Sequence, residues 1–85
     1  MTETHEARIK RLKMRSMRRG IKEMDLILQA YAERNLEGMD EAGLTLYDAL
    51  LQENDQDLYQ WVTGQAQVPQ PYAELIHDIS QTFQK

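Results

Sequence analysis

The residues with the clearest capacity for chemistry lie in one charged segment, Arg18-Arg19-Gly20-Ile21-Lys22-Glu23-Met24-Asp25. Arginine and glutamate form strong charge-assisted hydrogen bonds with a partner, and glycine lets another backbone come close. If the second predicted helix already includes residue 20, Arg19 and Glu23 flank Gly20 on one helix face, four residues apart. A pair in the order Arg then Glu is the weaker orientation for stabilising a helix. The segment therefore predicts a protein-binding surface centred on Arg19, Gly20 and Glu23.

A purely structural role explains the same residues at least as well. Gly20 would then cap the first helix or make room for a neighbouring helix. Arg19 and Glu23 would form an ordinary surface ion pair, which contributes little to stability. Both interpretations stay open when only the residues themselves are considered.

The titratable and nucleophilic residues elsewhere form no catalytic motif. His5 and His77 lie near opposite ends of the chain, and Ser16 and Ser80 lack the glycine-flanked turn of a nucleophile elbow. The chain has no cysteine, which excludes disulfides, thiolate zinc sites and cysteine nucleophiles. Its four glycines are too scattered to cradle a phosphate. We therefore predict that the chain is not an enzyme and holds neither a metal nor a cofactor.

These residues must be positioned by helices, because every extended segment has the apolar period of a helix. We predict about five short helices, the first over residues 5–18, within one domain spanning residues 1–85. Asp40 and Asp55 are the predicted N-caps of the third and fourth helices, Gly64 ends the fourth, and Pro71 lies in the first turn of the fifth. The expected fold class is a compact all-α bundle. The apolar positions predicted to face its core are Ala7, Ile9, Leu12, Met17, Ile21, Met24, Leu28, Tyr31, Ala32, Leu44, Tyr47, Leu50, Leu51, Leu58, Trp61, Val62, Tyr72, Leu75, Ile76, Ile79 and Phe83, with Ile27 at the edge.

Charge is distributed unevenly along the chain. Residues 1–22 carry eight Lys and Arg against two Glu, a balance of +6, whereas residues 23–85 carry two against twelve Asp and Glu, a balance of −10. The basic segment 8–22 could bind phosphates, which leaves a small helical nucleic-acid-binding regulator as the alternative function. It could equally pair with the acidic body. Recognition of DNA by the third and fourth helices is disfavoured, because Asp55 and Asp57 would face the phosphates.

Two sequence blocks give the chain a family resemblance. It resembles the SdhE-type FAD assembly factors, the small flavinylation-factor family of succinate dehydrogenase in bacteria and mitochondria. The family hallmark Arg-Arg-Gly-x-x-Glu-x-Asp stands here at residues 18–25. A second block, a Leu-Leu pair with an acidic turn, then Asp-Leu and a Trp, stands at residues 50–61. The resemblance covers roughly residues 7–80, and it departs at Gln56, where many relatives place proline.

The resemblance implies a five-helix assembly factor that is not itself an enzyme. Its partner would be the flavoprotein subunit of succinate dehydrogenase or fumarate reductase, on which it promotes covalent attachment of FAD to a histidine. The FAD would belong to that partner. Arg19, Gly20 and Glu23 would form the centre of the contact surface, with Arg18 and Asp25 flanking it. A generic helical adaptor of another complex fits the physical pattern equally well and ranks lower only because of the two blocks.

Oligomeric state and compartment can also be predicted from the sequence. No predicted helix is apolar all round, so we expect a monomer. No apolar run approaches the length of a membrane span, so we expect no membrane insertion. The first residues include Glu3 and Glu6, unlike an acid-poor transit peptide, and we therefore expect the bacterial cytoplasm.

Overall fold

In the computed structural model, which describes residues 3–17 and 20–83, five α-helices surround one apolar core. They are α1 (His5–Arg15), α2 (Lys22–Asn35), α3 (Glu41–Leu50), α4 (Asp55–Thr63) and α5 (Ala73–Phe83). Single 3₁₀ turns follow α2 at Leu36–Gly38 and precede α5 at Gln70–Tyr72. The described ranges contain no strand, and the predicted all-α class is confirmed.

Short polar residues determine where α3 and α4 begin. Asp40 caps α3 as predicted, because its carboxylate accepts a hydrogen bond from the Gly43 N–H at 2.8 Å. The prediction for α4 is wrong by one residue. Asn54 is the cap and accepts from the Gln56 N–H at 2.8 Å, whereas Asp55 is the first residue inside the helix. The Asp55 carboxylate therefore does not cap α4.

The other helix ends follow from backbone conformation. Gly64 ends α4 as predicted, in the left-handed conformation with φ of 81° that favours glycine. Pro71 lies in the 3₁₀ turn before α5, so the fifth helix begins at residue 73 rather than at the proline. The first helix ends at Arg15 and not near residue 18, since the chain turns at Ser16.

The core forms where the helices turn their apolar faces inward, and α2 packs against α1, α4 and α5. Ile27, predicted at the edge, is buried like its neighbours, whereas Ala7 is exposed. Trp61 and Tyr72 are partly buried at the core edge, with ring centroids 6.0 Å apart. The side chain of Phe83 lies outside the described part. The remaining buried hydrophobic residues are Ile9, Leu12, Met24, Leu28, Tyr31, Ala32, Leu36, Leu44, Tyr47, Leu50, Leu51, Leu58, Val62, Leu75, Ile76 and Ile79.

Candidate partner-binding surface

Residues 16–21, which we call the α1–α2 loop, are anchored at their first residue by a buried hydroxyl. Ser16 is fully buried, and its hydroxyl donates to the Leu12 carbonyl at 2.8 Å. The same hydroxyl lies 2.5 Å from the hydroxyl of Tyr47 in α3. Tyr47 is also fully buried, and its ring centroid lies 5.9 Å from that of Tyr31 in α2. Because buried polar groups need partners, this pair fixes where the loop leaves α1.

Gly20 anchors the other end of the loop to α4. Its N–H donates a hydrogen bond to Oδ2 of Asp55, with N and Oδ2 2.5 Å apart. A Cβ built on Gly20 would lie 3.0 Å from the same oxygen, so a side chain at this position would require the carboxylate to shift by a few tenths of an ångström. Ser16 is thus bonded to a residue 31 positions further along the chain, and Gly20 to one 35 positions further along.

The predicted surface residues that the structure describes gather at the start of α2. Glu23 and Asp25 both lie in the first turn of this helix, where acidic side chains interact favourably with the helix dipole. Glu23 is exposed to solvent, and Asp25 is half-buried. Gly20 is exposed just before them. Arg18 and Arg19 lie outside the described residues.

The condition that the second helix includes residue 20 is not met. α2 begins at Lys22, after Ile21 as its N-cap, so Gly20 precedes the helix and does not border its apolar face. An i, i+4 pair needs both residues inside one helix, so the orientation argument for Arg19 and Glu23 no longer applies. The close approach at Gly20 is made by Asp55 of the same chain, in line with the alternative that the glycine makes room for a neighbouring helix.

Several basic residues of α1 are paired with acidic residues of the body. Arg8 donates to Oε1 of Glu41 in α3 at 2.7 Å. Arg11 and Arg15 both reach Asp48 of the same helix, each at 3.2 Å. These pairs support the interpretation of the basic segment as a solvated helix face, and they reduce the charge that it can offer to phosphates.

His5 also has a partner, which its position in the sequence did not indicate. Its Nδ1 lies 2.5 Å from Oε2 of Glu41. The hydrogen bond from His5, together with that from Arg8, holds the pKa of Glu41 below its ordinary value of 4.5. Arg11 lowers the pKa of Glu3 by its hydrogen bond in the same way. Since the Glu41 side chain is 61% exposed, solvent screens the interaction strongly.

Two tyrosine hydroxyls bond to carboxylates across the bundle. Tyr31 donates to Oδ2 of Asp78 at 3.2 Å, and burial raises the pKa of Tyr31, with the charge of Asp78 adding to the effect. Tyr72 donates to Oε2 of Glu53 at 3.1 Å, and burial followed by this hydrogen bond raises its pKa too. Both phenols therefore remain protonated near neutral pH and donate these hydrogen bonds.

The part of the chain that the structure describes offers little to a metal or a phosphate. Within it, no group of three or more histidine or acidic side chains is arranged to hold a metal ion. The N–H groups of Gly20 and Gly43 already donate to the carboxylates of Asp55 and Asp40, whose charge would repel a phosphate. Nor is any helix in these ranges long and apolar enough to cross a membrane.

A family model described as "Flavinator of succinate dehydrogenase" matches residues 10–83. The chain belongs to this family. Three similar curated proteins are named succinate dehydrogenase assembly factor 2 or 2-B, mitochondrial. The one from Meyerozyma guilliermondii is 43% identical over 61 residues, covering 72% of this chain and 45% of the relative. The one from Schizosaccharomyces pombe is 37% identical over 70 residues, covering 82% of this chain and 50% of the relative. The one from Drosophila mojavensis is 39% identical over 69 residues, covering 79% of this chain and 44% of the relative.

The family resemblance inferred from the two sequence blocks is therefore confirmed. The structure joins these blocks, because Gly20 belongs to the first and Asp55 to the second. The comparisons support the flavinator family and not a nucleic-acid-binding regulator. The chain spans about half the length of the curated relatives it matches.

The prediction of a bacterial cytoplasm is contradicted by the same relatives. All three are eukaryotic proteins named as mitochondrial. The prediction used the acidic residues Glu3 and Glu6 at the start of the chain. That argument fails because the chain aligns with only part of each relative, so its first residues carry no information about a leader segment.

Sequence reasoning missed the hydrogen bonds by which Ser16 and Asp55 hold the two ends of the α1–α2 loop. A signal for Asp55 was available: Asn54 and Asp55 are two N-cap residue types in succession, and one helix needs only one cap. Ser16 follows Leu12 by four residues and so continues the buried face of α1. Its partner Tyr47 could not be identified, since helical period does not show which helices are neighbours.

Proposed function

We propose that this chain is an assembly factor that binds the flavoprotein subunit of succinate dehydrogenase and promotes covalent attachment of FAD to a histidine of that subunit. The observation that carries the proposal is the family match over residues 10–83, which includes the α1–α2 loop and the start of α2. The names of the curated relatives support the same partner complex. The flavoprotein of fumarate reductase is included as a second partner of the same surface.

The contact surface in this proposal is the N-terminal end of α2 with the arginines that precede it. Glu23 offers an exposed carboxylate to donors of the partner, and Arg18 and Arg19 supply guanidinium donors. Asp25 flanks Glu23 in the same helical turn. Charged groups arranged in this way provide specificity and orientation for a protein partner.

The factor acts by binding and not by proton transfer. Glu23 is exposed, and the hydrogen bond of His5 is made with Glu41 of α3 rather than with the motif. Binding would hold the flavoprotein in the conformation in which its FAD and its acceptor histidine meet. The gain in rate would then come from positioning, which is worth several orders of magnitude when reacting groups are well oriented.

In this proposal the chain acts as a monomer and binds no FAD of its own. The N–H groups of Gly20 and Gly43 support the absence of FAD binding. Both already donate to carboxylates, and phosphate sites at helix termini depend on available N–H groups. Titration of the purified protein with FAD, followed by flavin fluorescence, should show no saturable binding. Saturable binding by this chain alone would contradict this part of the proposal.

Covalent flavin on the denatured flavoprotein tests the function directly. The succinate dehydrogenase flavoprotein of the genome that encodes this chain is coexpressed with the wild-type factor, with Glu23→Ala, with Gly20→Arg or with no factor. Glu33→Ala is the matched control, since Glu33 is an exposed acid further along the same helix. In-gel fluorescence should rise with wild type and Glu33→Ala only. Equal signals in all lanes would refute the proposed function.

The conservative variant Glu23→Gln separates binding from chemistry. It keeps the shape and one carbonyl acceptor, so we expect affinity for the flavoprotein to weaken about tenfold or more, as for a lost charged hydrogen bond. Covalent FAD should fall in step with affinity and recover at high factor concentration. A variant that binds normally but yields no covalent FAD would instead assign Glu23 a direct chemical role.

A further inference from the structure

The two described ends of the α1–α2 loop are each held by a hydrogen bond to a residue far away in the sequence. The first residue of the loop, Ser16, is bonded to Tyr47, and the fifth, Gly20, is bonded to Asp55. The arginines of the motif, at positions 18 and 19, lie between these two anchors in the sequence. The second anchor is the exposed one, and it joins the two sequence blocks of the family.

We propose that Asp55 is a positioning residue for the partner-binding surface: its carboxylate holds the Gly20 N–H and so sets how the loop enters α2. The inference rests on the proposed function. Asp55 is assigned no contact with the flavoprotein and acts through the loop. Its effect should therefore appear in the affinity and rate of the factor, without a change in what the surface recognises.

The local structure explains why Asp55 serves this purpose. The cap of α4 is supplied by Asn54, so the carboxylate of Asp55 is not needed for that role. A hydrogen bond from an N–H to a carboxylate is charge-assisted and stronger than one to a neutral acceptor. Asp57 stands in the same helical turn, carries the same charge and is exposed, so it provides a matched control.

The same geometry explains the glycine at position 20 by a contact within the chain rather than by contact with a partner. A Cβ at this position would lie 3.0 Å from Oδ2 of Asp55, so alanine would shift the carboxylate by a few tenths of an ångström and weaken its hydrogen bond with the N–H. The missing side chain thus serves the anchor inside the chain. The effects of changing Gly20 and Asp55 should therefore not add fully, because both changes act on the same hydrogen bond.

A double-mutant cycle on the full chain tests the proposal. The variants are Asp55→Ala, Gly20→Ala and their combination, with Asp57→Ala as the control and Asp55→Asn as the conservative variant that keeps an oxygen acceptor. Covalent FAD and affinity for the flavoprotein are measured for each, alongside the unfolding midpoint. Hydrogen exchange of the Gly20 amide, followed by NMR on the free factor, reports on the anchor without any partner.

We expect Asp55→Ala to speed exchange of the Gly20 amide and to weaken flavoprotein binding by about tenfold each, the usual effect of one lost hydrogen bond. Asp57→Ala should change neither the amide exchange nor the affinity for the flavoprotein. Asp55→Asn should keep most of the wild-type value of each. Gly20→Ala should cause no further loss when it is combined with Asp55→Ala. Fully additive losses would overturn the proposal, since Gly20 would then meet the partner directly. Unchanged binding in Asp55→Ala with faster amide exchange would overturn it too.

The failure of the proposed function looks different. In that case the wild-type factor neither binds the flavoprotein nor raises covalent FAD, which removes the positioning role as well. The amide exchange of Gly20 would still respond to Asp55→Ala, because the anchor belongs to the free protein. An exchange rate that is the same in wild type and Asp55→Ala would refute the anchor itself, whatever the partner does.

Discussion

Ser16 illustrates at the residue scale how a single hydroxyl can organise a surface that it does not reach. Its side chain is fully buried and connects α1 to Tyr47, whereas the charged motif begins only two residues later. The hydroxyl is thus the internal counterpart of the exposed anchor at Gly20. Together they define both ends of the α1–α2 loop.

The first prediction concerns this hydroxyl. Ser16→Ala leaves the buried Tyr47 hydroxyl without one of its partners, so we expect the free energy of unfolding to fall by about 1–3 kcal/mol. Urea denaturation monitored by circular dichroism measures the change. Ser80→Ala is the control: that hydroxyl bonds locally, to the His77 carbonyl at 2.9 Å, and its loss should stay within about 0.5 kcal/mol. Equal losses in both variants would contradict the assignment.

The site residues were predictable to the extent that they share one stretch of sequence. Glu23 and Asp25 both lie in the first turn of α2, and their part in a binding surface stays a prediction. Asp55 and Tyr47 were not predicted to join the loop, since their partners in it are 35 and 31 residues away. A pattern of apolar period reports which face of a helix is buried, but it does not report which polar group lies opposite.

At the scale of the elements, the faces of the helices were easier to predict than their ends. Apolar period alone placed Met24, Leu28 and Tyr31 in the core, because burial follows the helical repeat. The ends of the helices were harder to predict, because adjacent residues can each serve as the cap. Asn54 and Asp55 are both good caps, and the structure uses the first, which shifted the predicted helix start by one residue.

Two glycines at helix ends give the prediction at this scale. Gly64 has φ of 81°, so Gly64→Ala forces a side chain into a left-handed conformation and should cost about 1–2 kcal/mol. Gly38 has no positive φ, and a Cβ added there would meet nothing within 4 Å, so Gly38→Ala should be neutral or stabilise by up to about 1 kcal/mol. Thermal unfolding of both variants measures the difference. A reversed order would contradict the backbone argument.

At the scale of the whole molecule, the uneven charge of the sequence is partly neutralised by folding. The basic α1 lies against α3, whose Glu41 and Asp48 take up Arg8, Arg11 and Arg15. The sequence predicted this pairing as one of two possibilities. Composition could not decide between them, because a basic helix has the same sequence whether it meets its own body or a partner.

The pH dependence of stability provides the third prediction. The pKa of Glu41 is lowered in the folded state, so its contribution is complete above the ordinary value of 4.5 and is lost as pH falls through the folded value. Glu41→Gln should therefore lower the free energy of unfolding at pH 7 and cause a smaller loss at pH 3. Urea denaturation at both values measures it, with Glu33→Gln as the exposed control. An equal loss at both values would contradict the linkage.

The long sequence separation of the two loop anchors has a consequence for biosynthesis. A ribosome adds about 5–20 residues per second, so Asp55 is made roughly 2–7 seconds after Gly20. For most of that interval the nascent chain already carries the complete motif but lacks the residue that bonds the Gly20 N–H. A partial or truncated chain would therefore display the recognition sequence without its bound conformation. The hydrogen bond between Gly20 and Asp55 can form only after α4 has been synthesised and has packed against the rest of the chain.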